Sequence, residues 1–208
     1  GVSTRYTIGS KDTNGYLFLV GYHDKTIYME YQHSISDGRG FEEFIRCVLF
    51  QYLKNCGFPV ENDGSVRGMD TRWSPEESAN GYEQLADREF SPDGIWKKPE
   101  AVHAPEVQWG ADGSEVVTEV TFPFSQLHDY AKSIGVSPLS VLAPLMMKAF
   151  DDKFGGTDKP VIAEIPVDLR PLLPTLTTRY FICFIDLPYF PEYRDLPNDE
   201  VFRRTKHF

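Results

Sequence analysis

The chain has 208 residues, a formal net charge of −10, 41% hydrophobic and 25% charged residues, which is enough for one sizeable core or two small halves that share one. The acidic balance excludes a broad nucleic-acid surface, which would need clustered Lys and Arg to displace condensed counterions, but leaves room for a small polyanion on a local basic patch. No apolar run approaches the roughly 18 residues of a membrane span, no secretory signal pattern opens the chain, and Cys47, Cys56 and Cys183 form neither a CxxC pair nor a His/Cys cluster, so reduced thiols in a cytoplasmic protein are expected, with no metal site.

In chain order, Tyr16 to Tyr22 and Thr26 to Gln32 alternate apolar and polar residues as strands do, and His23-Asp24-Lys25 between them reads as a tight hairpin turn. Ile27, Met29 and Tyr31 share one face, and His33 continues it; a strand one residue longer points that imidazole into the protein. From Gly40 to Cys56, Phe41, Phe44, Ile45, Val48, Leu49, Tyr52 and Leu53 recur at spacings of three and four, the signature of an amphipathic helix. Residues 57–104 are rich in Pro, Gly, Asn and acids and read as an irregular crossover with a short helix between Pro75 and Phe90.

Regular pattern resumes at Val107-Gln108-Trp109 and in the alternating stretch Val116 to Phe122. Ser125 is placed to cap a helix through Ile134, and Ser137-Pro138 to open another through Phe154, with Gly155-Gly156 ending it. Val161 to Val167 and Tyr180 to Leu187 read as buried strands. The last residues, Asn198 to Phe208, read as a helix capped by Asn198 or Asp199, and with Gly1 at the other end the chain reads as a fragment of something longer. Hairpins beside helices give an α/β class, a two-layer sandwich with a mixed sheet. Residues 57–104 thus read as a crossover between two parts of the chain, residues 1–56 and residues 105–208.

The residues with most chemical content are His33-Ser34-Ile35-Ser36-Asp37-Gly38, at the turn from strand to helix. A histidine there is a candidate base. Asp37 sits where a carboxylate accepts helix N-terminal amides, and Gly38 and Gly40 leave the backbone unshielded. Ser34 and Ser36 lack a third group that would orient them as nucleophiles, and Gly38-Arg39-Gly40 lacks the later glycine of a dinucleotide fingerprint. Met146 and Met147 read as core fillers. His23, His128 and His207 read as solvated surface groups, and Asn62-Asp63-Gly64 as a turn.

This HxxxDG motif resembles the signature of the chloramphenicol acetyltransferase and condensation-domain superfamily, closest to its alcohol-acetyltransferase-like members. A second set of residues follows in the same order as in that family: Gly135-Val136-Ser137-Pro138, then Val161 to Pro171 with Asp168-Leu169-Arg170-Pro171, then the apolar Tyr180-Phe181-Ile182. The resemblance implies two pseudo-symmetric halves with a tunnel between them, residues 1–56 being the end of the N-terminal half, 57–104 the crossover and 105–208 the beginning of the C-terminal half. It also implies a CoA-dependent acyltransferase in which His33 is the general base, Asp37 is structural and pairs with Arg170, and Gly38 gives close access and an amide for the oxyanion. No covalently bound cofactor and no metal are implied; acyl-CoA, or an acyl-carrier thioester in a condensation-type alternative, is the co-substrate, and an alcohol or amine is the acceptor. Additional segments of the same protein or another chain are implied to complete the tunnel. The sequence departs from the family at Gln32, where many members carry the first of two histidines, and between Tyr180 and Cys183, where an expected asparagine is absent. A catalytically silent binding or scaffolding module of the same fold is the reading from a different class.

Overall fold

The computed structural model describes residues 6–89, 96–104 and 119–206. Contacts divide the described residues into two units. One comprises residues 6–89 together with Val167–Cys183, and the other residues 96–104, 119–166 and 184–206.

In the first unit, strands β1 (Phe18–His23) and β2 (Thr26–Tyr31) form an antiparallel hairpin in the register Phe18↔Tyr31 to His23↔Thr26. Its two-residue turn holds Asp24 at φ 53°, a left-handed conformation that aspartate tolerates because its short polar side chain can bond locally. Helix α1 (Gly38–Asn55) lies against the hairpin. Tyr31 stacks on Phe41 with ring centroids 3.8 Å apart, and Phe18 meets Phe44 edge-on at 4.9 Å. Its apolar stripe is covered mainly at its start: Phe41 is buried, while Leu49, Tyr52 and Leu53 toward the C-terminus are exposed.

The first part of the expected crossover packs within this unit as two 3₁₀ turns, Pro75–Ser78 and Gly81–Leu85. A capping box fixes the first turn: the Ser74 amide donates to Glu77 Oε1 at 2.9 Å, and the Ser74 side chain accepts main-chain amides in return. Glu77 also pairs with Arg67, and its carbonyl accepts the Thr178 amide at 2.8 Å. Burial pushes the Glu77 carboxyl upward, but the Arg67 guanidinium and the Ser74 amide outweigh it and hold the group below the ordinary glutamate range.

The second unit contains helices α2 (Phe124–Ser133), α3 (Pro138–Phe154) and α4 (Asn198–Thr205) and most of strands β3 (Val161–Asp168) and β4 (Ile182–Tyr189), which pair with each other. Helix α3 packs against both α2 and α4, and its buried Ala143 and Met147 join Val161, Leu187, Tyr189, Tyr193 and Val201 in the core. Ser137 Oγ accepts the Ser140 amide at 3.1 Å and Pro138 opens the helix. At the other end of α3, a Cβ on Gly155 would lie 2.1 Å from Asp151 Oδ1, so only glycine fits there.

Several expectations are corrected. Helix α2 starts at Phe124 with Pro123 at its N-cap and no side-chain cap, so Ser125 lies inside it; α4 likewise follows Pro197 rather than a capping Asn198 or Asp199. Both prolines fix extended backbone ahead of the first turn and offer no side-chain acceptor to its amides. Met147 is buried, but Met146, one position along α3, is 74% exposed, because adjacent helical residues point about 100° apart. The Val107 pattern and most of Val116 to Phe122 lie outside the described residues, as does His207; residues 119–122 are not in a strand. The combination of helices with small antiparallel sheets is an α/β architecture in the broad sense. Among the described residues no single helix is long and apolar enough to cross a membrane.

Candidate functional site around the His33–Gly38 turn

Strand β2 ends at Tyr31, two residues before His33. The Ile35 amide donates to the Gln32 carbonyl at 3.0 Å, so the chain turns before the alternation reaches the imidazole. His33 is therefore exposed rather than directed into the protein, which corrects the expectation from the strand pattern. Its ring stands between two tyrosines: Tyr180 meets it edge-on at 5.7 Å and Tyr31 lies tilted at 5.8 Å. Among the described residues no side chain hydrogen-bonds the ring.

Below that open ring the turn is tightly held. Asp37 is 1% exposed, and its carboxylate carries out two jobs. Oδ1 accepts the Gly40 amide at 2.7 Å and caps α1. Oδ2 accepts the Phe181 amide at 2.7 Å and stands 3.0 Å from Arg170 Nη1. The helix cap and the ion pair are thus one arrangement, with one oxygen serving the local helix and the other a segment more than 130 residues away in sequence. Burial drives this carboxyl upward, but the amides of Gly40 and Phe181 and then Arg170 outweigh it, and the group is held below the ordinary aspartate value. It is an anion at neutral pH.

Four of the five N–H donors of Arg170 are engaged by protein groups. Nη1 also donates to Asp168 Oδ1 at 2.7 Å, Nε to the Thr177 carbonyl at 2.9 Å and Nη2 to the Arg179 carbonyl at 2.7 Å. A planar guanidinium whose fork is occupied this way fixes a loop and has little capacity left for a ligand. Its loop, Asp168 to Phe181, is therefore folded around the same arginine that grips Asp37.

Three further contacts complete the lock. Ser36 Oγ donates to the Thr178 carbonyl at 2.5 Å, so this hydroxyl is spent on the fold. Gly40 is required by close approach: a Cβ there would sit 2.0 Å from the Thr178 carbonyl oxygen and 2.5 Å from Ser36 Oγ. Phe181, whose amide Asp37 holds, is fully buried and meets Tyr82 edge-on at 5.0 Å, and Tyr82 in turn donates to the Ile182 carbonyl at 2.6 Å. Gly38 differs from Gly40. A Cβ at Gly38 would meet nothing within 4 Å, so no packing inside the chain demands glycine and the approach to that stretch of backbone is open.

The structure thus brings Asp37, Gly38 and Arg170 to one turn, with His33 on its solvent side. Sequence reasoning missed Ser36, Thr178, Phe181 and Tyr180 as members of this site. Thr178 and Phe181 contribute main-chain groups, which leave no residue-type signal; Ser36 had one, a hydroxyl inside the motif, but its partner lies 142 residues on. No group of three or more His, Cys, Asp and Glu that could hold a metal ion occurs among the described residues. The chain matches no protein-family model, no curated protein and no solved structure.

Proposed function

We propose that the protein is an acyltransferase of the chloramphenicol acetyltransferase type, moving an acyl group from acyl-CoA to an alcohol or amine, with His33 as the general base. In the proposed step the acceptor O–H or N–H gives its proton to His33 as the oxygen or nitrogen attacks the thioester carbonyl. The tetrahedral intermediate then collapses with cleavage of the C–S bond, and the imidazolium returns the proton to the departing thiolate. The products are an ester or amide and free CoA thiol. An alcohol with pKa near 16 reacts slowly at neutral pH until a positioned base accepts its proton, an effect of roughly 10²–10⁴ in rate.

The observation that carries this reading is the immobilised turn beneath His33. A buried carboxylate is expensive to keep unless it is fully paired, and here it is paired by Gly40, Phe181 and Arg170 around a short segment whose outward groups are an imidazole and an unshielded glycine. Rigid support under a reactive side chain is what a positioned base requires. Within the same proposal, the imidazole gains shelter from water when donor and acceptor are bound and when further polypeptide completes a tunnel. A condensation-type domain taking its donor from a carrier protein uses the same chemistry.

A second reading, a catalytically silent binding or scaffolding module, draws support from the exposure of His33 and from the absence, among the described residues, of a side chain that hydrogen-bonds its ring. Mass spectrometry of reactions containing acetyl-CoA and a panel of alcohols and amines separates the two. Acylated product that disappears in His33→Ala supports the enzyme. Acceptor or donor binding without product in either form supports the module and removes the acyltransferase reading.

A further inference from the structure

A cavity of about 800 Å³ in the first unit lies against the Asp168–Thr178 loop and the start of α1, and four arginines, Arg39, Arg67, Arg72 and Arg170, are in its lining. In a chain that is strongly acidic as a whole, the lining sets four guanidinium groups against three carboxylates, and Asp37 and Glu42 just outside the lining also pair Arg170 and Arg39. Every carboxylate in the lining is already engaged by one of them: Glu77 by Arg67, Asp168 by Arg170 and Glu43 by Arg39 at 4.0 Å. Arg72 is left with no hydrogen bond or ion pair among the described residues, although it faces the cavity.

The neutral groups add donors. Thr71 Oγ1 accepts the Gly68 amide and Thr175 Oγ1 accepts the Thr177 amide, so each hydroxyl retains its proton to give to a ligand. A groove whose acids are consumed, whose remaining cation is a guanidinium and whose hydroxyls have protons to donate is complementary to an anion with several acceptor oxygens.

We propose that this groove binds a phosphate-bearing small molecule, with Arg72 as its principal charge anchor. Gly40, Arg170 and Thr178, which belong to the clasp beneath the His33 turn, are part of the lining, so a ligand here borders the support of that turn. Arg170 and Asp168 line the groove, but their side chains already hold each other. The phosphate has two possible sources, the acyl donor of the proposed reaction or a separate phosphorylated ligand, and the site itself does not depend on acyl transfer.

The test uses the whole chain and inorganic pyrophosphate, titrated calorimetrically at about 0.1 M chloride, where loose surface attraction is screened. Binding to the wild type that weakens at least tenfold in Arg72→Glu and is kept in Arg72→Lys supports the site; Arg72 has no partner among the described residues, so circular dichroism and melting should be unchanged. Parallel titrations with CoA and with phosphate-free pantetheine identify the source. If CoA loses the same factor in Arg72→Glu and pantetheine loses none, the donor supplies the anion; if CoA is indifferent while pyrophosphate responds, a separate ligand does. Absence of pyrophosphate binding to the wild type, or equal binding in wild type and Arg72→Glu, overturns the proposal. None of these readouts requires turnover, so failure of the acyltransferase reading leaves them interpretable.

Discussion

Each unit contains a buried aspartate held by an arginine, and the two arrangements solve different problems. Asp37 opens α1, where the helix dipole favours an anion, and main-chain amides contribute more than Arg170 to its low pKa. Asp151 sits in the last turn of α3, where the dipole opposes an anion. There Arg194 supplies the main stabilisation, through two parallel bonds of 2.8 Å from Nε and Nη2. One arginine supplements a cap, and the other cancels a badly placed charge. Only the first lies beneath an exposed imidazole. An ion pair alone therefore does not mark a functional turn; the backbone donors and the outward-facing groups around it do.

The largest expected effect in this comparison is Asp37→Ala. It removes the cap, frees the Phe181 amide and leaves Arg170 without its buried counter-charge, for a loss of about 3–5 kcal/mol in denaturant unfolding. Next, Arg194→Met should cost about 3 kcal/mol, at the low end for a broken buried pair because Arg194 is partly exposed. Arg170→Met should cost less, about 2 kcal/mol, because Asp37 keeps both amides. Equal losses in the two arginine variants would remove the distinction drawn between the sites.

Acid titration sharpens the same contrast. Both carboxyls are held below their ordinary values in the folded chain. The unfolded state therefore binds more protons as pH drops past about 3.9, and the stabilisation, complete above that value, is lost as pH falls through the folded values. Carboxyl-detected NMR should find both carboxyls moving up when their arginine is removed, Asp151 in Arg194→Met by more than Asp37 in Arg170→Met, because Arg194 is the main cause of the low Asp151 value while Asp37 keeps its two amides. A smaller pair of effects separates the glycines. Gly40→Ala should destabilise by about 1–3 kcal/mol because its Cβ has no room. Gly38→Ala should be neutral or stabilising by up to about 1 kcal/mol while lowering acyl transfer, because the open space it fills is on the approach to the turn.

What the sequence revealed follows from how local each signal is. The hairpin and α1 announce themselves through alternation and a 3.6-residue period, and Asp37 through its place before the helix. The alternation failed at His33 because it was extended past a turn that begins at Gln32, a backbone event with no side-chain signature. Arg170 was singled out only through resemblance to a family; nothing in its own neighbourhood says that its guanidinium meets residue 37. The groove beside Arg72 was invisible for the same reason: its walls come from segments 39–43, 62–77 and 168–178, whose convergence no periodicity encodes.

The most direct test of the central claim, that the clasped turn presents His33 as a base, is the rate of thiol release from acetyl-CoA in the presence of an acceptor, compared between wild type and His33→Ala at matched folded fractions. Since His33 is exposed and gives up only its ring contacts with Tyr31 and Tyr180, the substitution should change the melting temperature little while slowing release by roughly 10²–10⁴. Release at the same rate in both proteins, or no acceptor-dependent release from the wild type, would contradict it.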